Sequence, residues 1–172
     1  MTSKSRSALS KTDAPLAFAA HDHTACVAEA LTTAEERCAA QGLRMTPVRR
    51  KVLELLLQEH RALGAYAILD LLREAGFGSQ PPVAYRALDF LVEHGFVHKI
   101  ERLNAFVACD HASKQHSPTF LICRICDAVA EAESAPVKGA IVAAAKIAGF
   151  QVERTVVEAE GVCPECAGAA AK

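Results

Sequence analysis

Four cysteines in the last third of the chain have the spacing of a metal site. They form two Cys-x-x-Cys pairs, Cys123 with Cys126 and Cys163 with Cys166. Two such pairs supply four soft thiolates, the ligand set of a closed tetrahedral zinc site with no position for water or substrate. The pattern therefore predicts a structural zinc that ties two distant parts of the chain together.

A second stretch with metal-binding chemistry runs from residue 98 to residue 131. It contains histidines, cysteines and carboxylates at a junction between a helical pattern before it and a strand-rich pattern after it. His21 and His23, at the end of a polar N-terminal segment, are more typical of solvated side chains than of ligands.

Composition favours an intracellular globular protein. The chain has 172 residues, 51% of them hydrophobic and 23% charged, which suits one ordinary domain or two small ones. No apolar run approaches the roughly 18 residues of a membrane span, so we expect a cytoplasmic protein with no membrane partner. Seven cysteines in a reducing compartment favour metal ligands over disulfides.

Charge is distributed unevenly although the formal net charge is only -1. Residues 43–102 carry 9 basic against 7 acidic side chains, and both flanking segments are net acidic. Arg44, Arg49, Arg50 and Lys51 crowd the start of one predicted helix. They form either a solvated basic face or a surface for nucleic acid.

Helical patterns fill the first half after an arm over residues 1–22. Helices are predicted over 24–41, from Thr46-Pro47 onwards, over 65–75 and over 81–95, with glycines or prolines at their ends. Cys26 and Cys38 on the first helix would lie about 18 Å apart, which is too far for a disulfide.

The fourth helix is followed by two predicted strands, over 96–101 and 105–109, with a turn near 103–104. Helices followed by a β-hairpin wing are a DNA-docking arrangement. Tyr85 and Arg86 stand near the start of that helix, where side chains contact bases and phosphates. Further along, a strand over 120–124, a helix over 136–148 and a strand over 150–158 are predicted.

Several ordered motifs resemble the ferric uptake regulator (Fur) family and, within it, the zinc-uptake regulators. They are Gly-Leu-Arg-x-Thr-Pro-x-Arg at 42–49, Pro-Pro-x-x-Tyr-Arg-Ala-Leu-Asp-Phe-Leu at 81–91, Gly-Phe-Val-His-Lys at 95–99 and the two cysteine pairs. The resemblance covers about residues 25–166, and the agreement of several motifs in order makes it specific.

The resemblance implies an α+β fold in two parts. A winged-helix DNA-binding domain would occupy residues 23–108 and a small α/β dimerisation domain residues 109–168, with a frayed tail over 169–172. The family's sensing site falls on His98, Cys109, His116 and Glu131, with His111 and Glu101 as alternative ligands. Two zinc ions per chain are therefore expected.

The implied function is that of a homodimeric, zinc-responsive repressor of zinc uptake genes that binds double-stranded operator DNA. Tyr85 and Arg86 would contact bases or sugars, and Arg44, Arg49 and Lys99 phosphates. One departure from the family is Val83-Ala84, where a small hydroxyl residue followed by Val is usual. Its loss removes one possible phosphate contact.

Three other functions remain as alternatives. The nearest is a Fur-family regulator that senses iron, manganese or peroxide, which Cys109 disfavours. A redox enzyme would use a single Cys-x-x-Cys motif at a helix start, so two pairs with metal spacing argue against an enzyme or a small-molecule substrate. A protein-binding zinc ribbon would not need the helix that carries Tyr85 and Arg86.

Overall fold

The first half of the chain, up to Cys109, holds four helices and a small sheet, and the second half holds another small sheet and two helices. The structure, a computed structural model, describes residues 23–58, 61–78, 80–109, 118–132 and 135–169. Within those residues the elements are α1 (His23–Ala40), α2 (Pro47–Gln58), β1 (Leu63–Gly64), α3 (Ala65–Glu74), α4 (Pro81–Glu93), β2 (Val97–Ile100), β3 (Ala105–Ala108), β4 (Thr119–Cys123), β5 (Val129–Ala132), α5 (Ala135–Ile147), β6 (Val157–Gly161) and α6 (Pro164–Ala169).

The four predicted N-terminal helices are confirmed, and they surround one apolar core. Leu56, Ile68, Leu88 and Leu91 come from three different helices and are at most 1% exposed. Apolar side chains three or four residues apart along each helix face this core, as their sequence spacing requires. The core fixes α4 against the rest of the bundle, with its opposite face left to solvent.

A glycine at the end of α4 starts the wing. Gly95 has φ +70°, and the Phe96 N–H donates to the Leu91 carbonyl at 2.9 Å. This left-handed residue closes the helix, and the chain turns directly into β2. The first sheet has the strand order β1-β3-β2, with antiparallel pairing throughout. The two-residue β1 was not predicted, because two residues carry no periodic signal.

The second sheet has the order β5-β4-β6, with β4 antiparallel to β5 and parallel to β6. The predicted strand over 150–158 was displaced: residues 150–156 have no regular structure, and β6 is Val157–Gly161. Its register is set by pairing with β4, in which Cys123 stands opposite Gly161. Local alternation of apolar residues could not reveal that long-range pairing.

The described part of the chain ends with α6, and its last residue is Ala169, where the predicted tail begins. Residues 170–172 and the predicted N-terminal arm, residues 1–22, lie outside the described part of the chain. No helix in the described ranges is both long and apolar enough to cross a membrane.

The two halves share a small apolar junction. Ile100 and Val107 from the first sheet pack with Phe120, Ile122 and Val129 from the second, and all five are buried. Leu103, from the turn of the wing, packs against the same group. The underside of the wing therefore rests on the second sheet, which brings residues near β2 and β3 close to β5.

Truncating the bundle core should destabilise the protein strongly. We expect Leu88→Ala to lower the free energy of unfolding by about 3 kcal/mol, since Leu88 is fully buried and its removal leaves a cavity. Urea unfolding followed by circular dichroism measures this. The control is Tyr66→Ala in α3, where the side chain is 77% exposed and little change is expected. Equal losses in the two variants would contradict the assigned core.

Candidate metal centres and nucleic-acid surface

The four paired cysteines converge on one point. Cys123 ends β4, Cys126 lies in the turn after it, Cys163 follows β6, and Cys166 is in α6. Their four sulfur atoms all lie within 4.8 Å of one another. The parallel pairing of β4 with β6 causes this convergence, because it brings the ends of both strands to the same edge of the sheet.

The spacing of the sulfurs fits a tetrahedral ion. The Cys126 and Cys163 sulfurs are 3.7 Å apart. A tetrahedral zinc with bonds of about 2.3 Å would place its sulfur ligands about 3.8 Å apart. The four cysteines are all free thiols in the structure, and an S–S bond would need about 2.05 Å. The group can therefore hold a zinc ion with little rearrangement.

Electrostatics also favour a cation among these sulfurs. Backbone N–H groups of Cys163, Cys126 and Ile125 hydrogen-bond to the Cys123 sulfur and lower the pKa of this thiol to about 6. Side-chain hydrogen bonds with Cys163 and Cys126, together with burial, raise the pKa of Cys166 to about 12. Neighbouring sulfurs thus resist ionising together, and a dication would allow all four to be thiolates.

A second group brings together three of the four residues of the predicted sensing site. His98 lies on β2, Cys109 directly after β3, and Glu131 on β5, and one ligand atom of each lies within 4.8 Å of the others. The His98 Nε2 atom is 3.8 Å from a Glu131 oxygen. The Glu131 side chain is 5% exposed, so a cation at this point would offset the cost of burying a carboxylate charge.

Local packing fixes the position of each of these side chains. The Cys109 N–H donates to the Phe96 carbonyl at 3.0 Å, which holds Cys109 beside β2. The His98 ring tilts against the Phe120 ring, with their centroids 5.4 Å apart. Phe120 was not assigned a role from the sequence, because a phenylalanine in a strand is indistinguishable from any core residue until its neighbours are known.

Glu101, the alternative carboxylate, does not join this group. His116 and His111, like His21, lie outside the described residues, and His23 is described only as the first residue of α1. Glu101 instead lies in the turn of the wing and accepts a hydrogen bond from the Lys99 amine at 2.7 Å. Of the candidate ligands that are described, the geometry thus selects His98, Cys109 and Glu131.

The exposed face of α4 carries the residues predicted to contact DNA. Ala84 and Leu88 are buried, whereas Tyr85 is 42% exposed, and Arg86 is also exposed. Both side chains stand in the N-terminal half of the helix, where a helix placed in the major groove presents its base contacts. Val83, in the first turn, is 38% exposed and has no hydrogen-bonding group to offer.

The basic residues at the start of α2 divide into two kinds. Arg50 pairs with Glu35 at 2.7 Å, and Lys51 with Glu54 at 3.2 Å, so glutamates offset both charges. Arg49 lies with its guanidinium carbon 3.5 Å from the centre of the Phe90 ring and donates to the Arg44 carbonyl at 2.6 Å. The solvated-face interpretation thus fits the two paired residues, while Arg49 is held rigidly beside α4.

Comparison with known proteins identifies the family. The model of the ferric uptake regulator family matches residues 40–160, more than half of the chain. The chain belongs to the ferric uptake regulator family. Fur proteins regulate transcription, and this membership excludes the redox-enzyme alternative.

Individual relatives place this Fur chain near the zinc regulators. It is 44% identical over 140 residues to the zinc uptake regulation protein of Escherichia coli (strain K12), covering 80% of this chain and 81% of that protein. A zinc uptake regulator solved in complex with zinc and DNA matches with a TM-score of 0.82 and 41% identity, covering 85% of this chain and 98% of that one. Holo XcZur gives a TM-score of 0.74 and 45% identity, with coverages of 80% and 96%.

These similarities confirm the fold class expected from the sequence. The winged-helix half followed by a small α/β half is the arrangement of the Fur fold, and both solved relatives match over at least 80% of this chain. The two cysteine pairs and the group around Glu131 therefore occur in a chain whose whole described architecture is that of the family.

Removing one cysteine of the group of four should remove one metal ion. We expect Cys166→Ser to lose about one bound ion per chain, because a closed tetrahedral site needs all four ligands. Elemental analysis of the purified protein measures this. Cys38→Ala is the control: Cys38 is 1% exposed, burial raises the pKa of its thiol, and it packs in the core of the helices and belongs to neither group. Retention of the full metal content in Cys166→Ser would refute the site.

Proposed function

We propose that this Fur-family chain is a zinc-responsive transcriptional repressor in the cytoplasm. It binds operator DNA as a homodimer when zinc occupies the sensing site, and it controls zinc uptake genes. The observation that carries the proposal is the group of His98, Cys109 and Glu131, because its members come from the wing and from the second sheet.

The position of the sensing site explains how metal and DNA binding are coupled. His98 lies on β2 of the wing hairpin and Cys109 directly after β3, whereas Glu131 belongs to the half that would dimerise. Zinc bound there would hold the two halves at one angle. In a dimer that angle sets the separation of two α4 helices, which must match half-sites about 34 Å apart on DNA. The side chains that bind this zinc would fix the angle and so favour the conformation that binds DNA.

The donor set favours zinc over the other metals of the family. Cys109 contributes a buried thiolate sulfur, His98 an imidazole and Glu131 a carboxylate, with His116 proposed as the fourth ligand. Soft sulfur donors select zinc, whereas iron and manganese regulators are better served by nitrogen and oxygen donors. The zinc uptake regulation protein of E. coli, at 44% identity, supports the same choice.

The cysteine group would hold a second, structural zinc. Its sulfurs are close-packed around one point and offer no open coordination position, so exchange with the medium should be slow. Cys123, Cys126, Cys163 and Cys166 would tie β4, β6 and α6 together. That clasp stabilises the second half whether or not the sensing site is loaded.

The dimer would form through the second half. The described α5 side chains, Val137 to Ile147, are exposed or half-buried, an unusual state for a helix so rich in alanine and valine. Ile147 is 90% exposed and Phe150 68% exposed. An open cavity of about 580 Å³ lies beside them, lined by residues that include Ile141 and Val156. A second copy would bury this apolar surface.

DNA contacts follow from the exposed surface of the first half. Tyr85 and Arg86 would contact bases or sugars from α4, and Arg44, Arg49 and Lys99 would contact phosphates. The stacking of Arg49 on Phe90 leaves several of its five N–H donors available and holds them in a fixed direction. A pre-oriented arginine loses less side-chain entropy when it meets a phosphate.

Metal content and DNA binding test the proposal together. We expect about two zinc ions per chain in the wild type and about one in Cys109→Ser, after aerobic purification. In gel shifts, the wild type should bind operator DNA with zinc and release it in a chelator that empties only the sensing site. Iron or manganese found in the purified protein in place of zinc would support a family member that senses iron, manganese or peroxide. Operator binding unchanged by the chelator would reject the zinc switch.

Restoring the missing hydroxyl on α4 should strengthen DNA binding. We expect Val83→Thr to raise operator affinity about threefold, because the hydroxyl at the helix start can donate to a phosphate while the shape of the side chain is kept. Titration of labelled operator at fixed zinc and salt measures this. Val83→Ile, which changes the same exposed side chain without adding a hydroxyl, serves as the control. Affinity unaltered by Val83→Thr would show that no phosphate lies within reach of residue 83.

A further inference from the structure

A carboxylate on β6 binds the backbone of the wing turn. One oxygen of Glu158 accepts a hydrogen bond from the Glu101 N–H at 2.7 Å, and the other accepts one from the Arg102 N–H at 3.1 Å. The two partners are 56 and 57 residues away in the chain, and they belong to the opposite half of the molecule. A charged acceptor that binds two consecutive amides fixes both the position and the direction of the turn.

The same strand supplies a second contact. Arg102 forms an ion pair with Glu160, two residues beyond Glu158 on β6. Side chains two residues apart on a strand point to the same face, so both glutamates face the wing. Both side chains of this ion pair are partly exposed, which limits its contribution. The backbone bonds of Glu158 are therefore the main polar connection on this side.

Glu158 and the sensing-site ligand Glu131 lie in one row of the second sheet. Phe120 on β4 stands opposite Glu131 on one side and opposite Glu158 on the other. Residues directly opposite each other share a face, so both carboxylates point toward the wing. Two strand spacings separate them, about 10 Å.

The segment from His98 on β2 to Glu101, the first residue after β2, spans a similar distance. These two residues are three positions apart, which is about 10 Å in an extended chain. His98 meets Glu131, and the amides of Glu101 and Arg102 meet Glu158. The segment from His98 to Arg102 is thus attached to Glu131 at one end and to Glu158 at the other. Only the His98 end involves the proposed sensing-site zinc.

We propose that Glu158 is a positioning residue for the sensing site: it fastens the wing turn to β6 without metal and thereby holds His98 near Glu131. The inference rests on the proposed function of the His98, Cys109 and Glu131 group. A wing that is already held at one end loses less conformational entropy when the zinc ligands come together, so zinc binds more tightly. Loss of the fastening weakens zinc binding at a site that Glu158 does not touch.

Glu158→Gln tests this, with Glu160→Gln as the matched control. The glutamine keeps the shape of the side chain, but its NH2 group faces an N–H donor, so one hydrogen bond is lost. We expect the sensing-site zinc affinity, measured by chelator competition, to fall about tenfold in Glu158→Gln and at most twofold in Glu160→Gln. The zinc held by the four cysteines should stay bound in both, which shows that the second half is folded.

A second measurement does not depend on zinc at the sensing site. In a Cys109→Ser background, hydrogen exchange at the Glu101 and Arg102 amides should be slow, and adding Glu158→Gln should accelerate it about tenfold. Exchange already fast in Cys109→Ser, or unchanged by Glu158→Gln, would overturn the inference.

The two measurements separate this inference from the proposed function. If operator binding by Cys109→Ser still responds to zinc as the wild type does, the proposed function fails whatever the amides show. If Cys109→Ser abolishes the response while Glu158→Gln leaves zinc affinity and amide exchange unchanged, only the role of Glu158 fails. An equal loss of zinc affinity in Glu158→Gln and Glu160→Gln also rejects it, because charge removal alone would then suffice.

Discussion

The small apolar junction between the two sheets is the constraint on which both the proposed zinc switch and the proposed role of Glu158 depend. Within the part of the chain that the structure describes, five buried apolar side chains join the wing to the second sheet, far fewer than make up the core of the helices. An interface of this size stabilises one arrangement only modestly, so a few polar or metal contacts can decide it. That is the condition a switch needs, because a large junction would hold one angle regardless of metal.

The register of β6 links the two metal groups. Parallel pairing with β4 places Cys163 beside Cys123, and the same register places Glu158 opposite Phe120. A structural zinc at the cysteines would hold that register from the end of the strand. The proposed clasp would therefore also set where Glu158 meets the wing turn. The proposed sensing site would then depend on a group of cysteines that it does not contact.

The sequence was sufficient for α1 to α5 and for the cysteine group, because both leave local patterns, whereas the six-residue α6 was not predicted. Apolar spacing along α4 and paired cysteines are visible within a few residues. The strands were harder: the two residues of β1 show no period, and β5, Val129–Ala132, has only one β-branched residue to indicate a strand. β6 was displaced because its register depends on β4. The amide contacts of Glu158 and the pairing of Arg50 with Glu35 were also beyond prediction, since both join distant residues whose approach only the fold determines.

The parallel pairing of β4 with β6 has a consequence for how the chain acquires its structure. Cys123 and Cys163 are 40 residues apart, so the second sheet forms only after a long loop has closed. The helices of the first half follow one another closely along the chain, so their core can form without closing such a long loop. Each Cys-x-x-Cys pair is local, however, and can capture an ion while the loop is still open. The first half should therefore fold ahead of the second, and zinc should speed the second by holding its ends together.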